Sequence, residues 1–119
     1  MGVRTRMAGE VPVVELEGEF DISTAHEVDQ ELLRLDGQRP GTVVVDLRGL
    51  SFIDSTGLRS LLSADARCRQ YGGRLVLVPG PPAVHRVFRI ALLDQRLEFM
   101  EDLPARGDLD ALGSDGGER

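Results

Sequence analysis

The run Thr42-Val43-Val44-Val45-Asp46-Leu47 constrains the fold more than any other segment. A continuous β-branched stretch without polar alternation fits a strand buried on both faces, and such strands are usually central and parallel. Parallel neighbours need crossover connections, and the flanking sequence supplies helices for them. Upstream, Ala25, Val28, Leu32 and Leu35 recur at helical spacing. Thr24 with Glu27 makes a capping-box signature ahead of that helix, and Gly37 is placed to stop it. Downstream, Leu58, Leu61, Leu62 and Ala66 share one face of a helix from Ser55 to Gln70, ended by Gly72-Gly73.

The rest of the chain repeats the alternation. Val11 to Glu17 predicts an early strand, with Pro12 at an edge or strand start because it has no N–H to donate. Residues 3–7 pair with it as a hairpin through Ala8-Gly9-Glu10. Leu75 to Val78 is a second short buried strand. Pro81-Pro82 opens a third helix carrying Val84, Val87, Phe88 and Ala91. Leu97 to Met100 reads as a last strand, and Leu103 to Leu112 as a short final helix. Strands alternating with helices imply an α/β fold: a mixed, largely parallel sheet of four to five strands, about four packed helices and right-handed crossovers. A length of 119 residues fits one domain, expected over residues 3–112. The Gly-rich polar residues 113–119 are expected to form a flexible tail.

Composition removes several classes of function. All 14 basic residues are Arg, so there is no Lys for a P-loop, a Schiff base or a kinase-type ATP contact. The formal charge of −6 argues against a nucleic-acid backbone as direct partner. Aromatic residues are 4% of the chain, too few for base-stacking platforms. The single cysteine, Cys68, cannot form an intramolecular disulfide, and His26 and His85 share no metal-ligand spacing. No metal and no cofactor are expected. No stretch approaches the ~20 apolar residues of a membrane helix and the N-terminus has no apolar leader, so no membrane insertion and a cytoplasmic location are expected.

Chemistry concentrates where the central strand runs through Phe52-Ile53-Asp54-Ser55-Thr56-Gly57-Leu58 into a helix start. Free N–H groups and the positive end of the dipole favour an anion there. A phosphate on Ser55 is expected to find those donors open, while its charge is repelled by Asp54. The simpler role, Asp54 or Ser55 as helix cap, is compatible with modification. Ser55 as a hydrolase nucleophile lacks the Gly-x-Ser-x-Gly elbow. Asp46 is expected to bond the Arg48-Gly49 backbone, and Cys68 to lie in the core. Glu15, Glu17 and Glu19 are expected to form a solvated strand face.

Phe52-Ile53-Asp54-Ser55-Thr56-Gly57-Leu58 resembles the signature of the STAS family, which includes bacterial anti-sigma factor antagonists. Val44 to Leu50 resembles that family's preceding strand. Gly18-Glu19-Phe20-Asp21 followed by Ser23-Thr24-Ala25 resembles the start of its first helix, and Arg86 to Leu93 its third helix. The resemblance implies a regulatory protein without catalytic residues of its own. Ser55 matches the phosphorylated serine. Asp21, Asp54, Ser55, Thr56 and Gly57 match the partner-binding surface. Thr56, directly beside Ser55, is left open as a second acceptor. The implied partners are an anti-sigma factor that is also a GHKL-type serine kinase, and a PPM-type serine phosphatase. The unphosphorylated form then frees a sigma factor by binding the anti-sigma factor, and phosphorylation ends the binding. The alternative is a STAS subunit of a lipid-transport or stress-signalling assembly.

Overall fold

A computed structural model describes residues 1–100 of the chain. The elements run β1 (Gly2–Ala8), β2 (Val11–Phe20), α1 (Ala25–Asp36), β3 (Thr42–Ile53), α2 (Ser55–Gln70), β4 (Arg74–Val78), α3 (Pro82–Ile90) and β5 (Glu98–Phe99). They build one five-stranded sheet in the order β1-β2-β3-β4-β5. β1 and β2 form the expected antiparallel hairpin, closed by the two residues between Ala8 and Val11. The pairs β2–β3, β3–β4 and β4–β5 are parallel. The final helix expected over residues 103–112 and the tail over 113–119 lie outside the described residues, which contain three helices.

Strand order explains the layering. Each parallel crossover steps one strand in the same direction, so crossovers of one hand place all three helices on one face. The core shows this: Val28, Leu32, Leu61, Ala64, Val84 and Phe88 share one buried cluster with Val43, Val45, Leu47, Leu75 and Leu77. The opposite face gathers Ala8, Val11, Val13, Val44, Val76 and Val78, with Met100 packed against them. Thus β3 buries successive side chains on alternate faces, as its β-branched run requires.

Several local expectations changed. β3 does not stop at Leu47 but continues to Ile53. Its pairing with β2 slips twice, since Glu15 faces Asp46 but Glu17 faces Gly49, and Gly18 faces Leu50 but Glu19 faces Phe52. Two extra residues in β3 bend the strand. Gly49 fits there because a Cβ would come within 2.7 Å of the Leu16 carbonyl oxygen. The Thr24–Glu27 capping box does not form: the Thr24 hydroxyl donates to the Glu19 carbonyl at 2.7 Å and accepts from the Asp21 N–H at 3.0 Å. Gly37 ends α1 with helical φ −62°, and the left-handed residue is Arg39 at φ 47°. Glu15 is not simply solvated. It faces Arg4 across the hairpin and pairs with Arg4 and Arg6, each at 3.1 Å. Ala91 is exposed and Leu93 takes the buried place instead. Cys68 is buried, as expected.

Asp46 secures the first bulge. Its Oδ1 accepts the Arg48 backbone N–H at 3.0 Å, and its carboxylate accepts the Arg48 guanidinium at 3.0 and 2.7 Å. Burial opposes its charged form, but the Arg48 bonds outweigh that and hold the carboxyl below the usual range. A depressed carboxyl stabilises the fold above its unfolded-state value and loses that contribution as pH falls through the folded-state value. Asp46→Asn is therefore expected to cost about 1–2 kcal/mol at pH 7. The gap from wild type should close as pH drops below about 4. Urea titrations across pH check both the size and the direction.

Candidate functional site

The extended β2–β3 ribbon carries two loops to one end of the sheet. Phe20 pairs with Ile53 as its last step. Asp21 leaves from one strand and Asp54 from the other, and the Asp54 N–H donates to the Phe20 carbonyl at 3.2 Å. That bond ties the start of α2 to the end of β2. Pairing also sets the level of the loop Pro79–Pro82: β4 ends at Val78 opposite Asp46, far down β3 from Ser55.

Asp54 is the cap of α2. Its backbone is extended, and its Oδ1 accepts the N–H groups of Thr56 at 2.9 Å and Gly57 at 3.1 Å. Its carbonyl accepts the Leu58 N–H at 3.0 Å. The expectation of open donors for a phosphate on Ser55 is thereby corrected for two of them, while the Ser55 N–H itself makes no hydrogen bond among the described residues. The Thr56 and Gly57 donors at the helix start already hold a carboxylate. Ser55 itself is exposed, and its hydroxyl makes no hydrogen bond among the described residues. Thr56, the next hydroxyl, is half-buried.

Gly57 lies beneath this surface. A Cβ would meet the Phe20 carbonyl oxygen and Ile53 Cγ1 at 2.8 Å. Only glycine lets α2 sit this close to the β2–β3 ends. Asp21 is half-exposed and rigid: its Oδ1 accepts the Ser23 hydroxyl at 2.7 Å and the Ser23 N–H at 3.0 Å. The Ser23 hydroxyl is the largest influence, and it holds the Asp21 carboxyl below the ordinary range. No hydrogen bond joins Asp21 to Asp54 or Ser55 among the described residues. The two loops meet through backbone, not through their side chains.

Sequence reasoning missed two apolar side chains at this end. Ile22 is 79% exposed between Asp21 and Ser23, and Phe52 is 47% exposed just before Ile53. An isoleucine inside an otherwise polar turn was the available signal. Among the described residues no cluster of His, Cys, Asp and Glu could hold a metal ion, and no helix is long and apolar enough to cross a membrane. The rim can therefore offer a neutral hydroxyl, two fixed carboxylates and two apolar contacts to a partner.

A family profile described as "Mlab, STAS domain" matches residues 3–104. The chain belongs to the STAS domain family. BtrV of Bordetella bronchiseptica, assigned as an anti-sigma factor antagonist, is 36% identical over 76 residues, 64% of this chain. The chain spans 66% of that relative's length. Among solved structures, an anti-sigma factor antagonist from Mycobacterium paratuberculosis superposes with a TM-score of 0.80 at 24% identity. That match covers 94% of this chain and 92% of the other. SpoIIAA of Bacillus matches in its unphosphorylated form with TM-score 0.76, 21% identity and 99% of both chains. Its phosphorylated form matches with TM-score 0.71, 21% identity, and 93% of this chain and 99% of that one. These similarities establish the STAS fold.

Two substitutions test the local account. Asp54→Ala is expected to cost about 1 kcal/mol through loss of the cap. Gly57→Ala is expected to cost about 1–3 kcal/mol, because the methyl group would press on backbone that cannot yield. Denaturant midpoints measure both. A neutral Gly57→Ala would refute the close-contact reading.

Proposed function

We propose that this protein is an anti-sigma factor antagonist switched by phosphorylation of Ser55. In the unphosphorylated state the rim of Asp21, Asp54, Ser55 and Thr56, seated on Gly57, docks on an anti-sigma factor that is also a GHKL-type serine kinase. Docking frees the sigma factor. The single observation that carries this reading is Ser55: an exposed, unbonded hydroxyl at the start of α2, beside a carboxylate that already fills the cap. The named relatives support it, since BtrV and the Mycobacterium paratuberculosis protein are called anti-sigma factor antagonists and SpoIIAA is known in phosphorylated form.

The chain supplies the acceptor and the partner supplies the chemistry. Ser55 Oγ attacks the γ-phosphorus of kinase-bound ATP, the bond to ADP breaks, and the hydroxyl proton passes to a base on the kinase. A PPM-type phosphatase hydrolyses the ester, returning the hydroxyl and inorganic phosphate. The protein is thus not an enzyme, and it works in the cytoplasm where sigma factors act. The added dianion faces Asp54, the helix-start donors at Thr56 and Gly57 are taken, and the partner surface accommodates a neutral hydroxyl. Such a mismatch costs several kcal/mol at an interface. At 1.4 kcal/mol per tenfold, that releases a micromolar complex.

Incubation with GHKL-type serine kinases and ATP, followed by mapping of the phosphate by mass spectrometry, tests the assignment. Phosphate is expected on Ser55, with none on Thr56 and none on Ser55→Ala. Ser55→Ala should bind the kinase within about threefold of wild type, because a small neutral side chain fits the same surface. Phosphate on Thr56 alone would contradict the assignment. Absence of both binding and modification with every kinase would favour a subunit role in a lipid-transport or stress-signalling assembly.

A further inference from the structure

Phosphorylation at Ser55 leaves an electrostatic question that the cap makes acute. Two of the helix-start N–H groups that would otherwise receive such an anion, those of Thr56 and Gly57, hold Asp54. The rim segments 19–24 and 51–59 contain three carboxylates, Glu19, Asp21 and Asp54, of which Asp54 is next to Ser55 in sequence, and a single cation, Arg59. Arg59 is exposed and makes no ion pair or side-chain hydrogen bond among the described residues. By contrast, Arg67 two turns further along α2 pairs with Asp36 at 2.6 Å, and Arg69 with Asp65 at 3.1 Å. Asp29, across the groove that Arg59 lines with Leu33, Thr56, Ser60 and Ser63, forms no ion pair with it.

Ser55 and Arg59 stand four residues apart in α2. Side chains at that spacing are neighbours on one helix face, with Cβ atoms about 5–6 Å apart. An acid N-terminal to a cation at this spacing is also the favourable order. We propose that Arg59 is the intramolecular partner of phosphorylated Ser55, drawing the phosphate along α2 and away from Asp54. The inference rests on the assignment of Ser55 as the modified residue. In this arrangement the guanidinium is idle in the unphosphorylated protein and engaged in the modified one. It favours the fully ionised phosphate, which otherwise titrates just below neutral pH beside a repelling carboxylate. The modified state then carries more of its second negative charge near neutral pH.

The experiment places phosphoserine at position 55 during translation, so no kinase is involved. The ³¹P resonance is titrated with pH in the wild type, Arg59→Lys and Arg59→Gln. All three should fold alike, because position 59 is solvent-facing and the three residues have similar helix propensity. Circular dichroism verifies this. The second acid dissociation constant of the phosphate is expected to be at least about twofold larger in the wild type than in Arg59→Gln, the size of an exposed i,i+4 ion pair. Arg59→Lys should retain part of the difference, and 1 M NaCl should abolish it. Equal constants in wild type and Arg59→Gln, or a difference untouched by salt, would overturn the pairing. A Ser55 that no kinase modifies would instead count against the assignment of the switch, so the two failures are separable.

Discussion

The parallel pairing of β2 with β3 past the end of β4 is the constraint on which the site depends. It brings Phe20 beside Ile53, lets the Phe20 carbonyl accept the Asp54 N–H, and so fixes where α2 begins. Gly57 then allows the helix to lie against that carbonyl. Two bulges steer the strand, and the first is held by Asp46 and Arg48. An aspartate well upstream of the cap thus contributes to the position of Ser55. Fold and function meet in backbone contacts that any partner would find already set.

Carboxylates at this rim are held in place by short local hydrogen bonds. Asp54 satisfies the Thr56 and Gly57 donors, so those two are not open to a second anion. Asp21 is locked by Ser23 and stays ionised through the physiological range. A hydroxyl between these groups is electrically quiet, whereas a phosphate is not. The exposed Ile22 and Phe52 give a partner apolar area at the same end, where binding strength can arise without charge.

Much of this was legible in the residues. The β-branched run at Thr42–Leu47, the helical spacing from Leu58 to Leu62 and the hairpin turn at Gly9 translated directly into elements, because each reflects a strong period or a strong turn residue; Ala66, expected on the same helix face, is exposed, and Ala64 and Cys68 are buried instead. The extension of β3 to Ile53 did not, since Arg48, Gly49 and Ser51 break the alternation and only tertiary pairing with β2 restores the strand. The Thr24 capping box failed for a similar reason: Thr24 had better partners upstream in Glu19 and Asp21. Asp54 and Ser55 were visible as cap and hydroxyl, but not that the cap uses up the donors. Glu15 looked solvated because its partners Arg4 and Arg6 lie on another strand.

The most direct test of the account compares unmodified protein with protein carrying phosphoserine at position 55. Each is titrated calorimetrically against the anti-sigma kinase that binds it. A loss of affinity of at least about 100-fold is expected on phosphorylation, corresponding to a few kcal/mol at the interface. Equal affinity of the two forms would contradict it, since charge at Ser55 would then have no bearing on the partner.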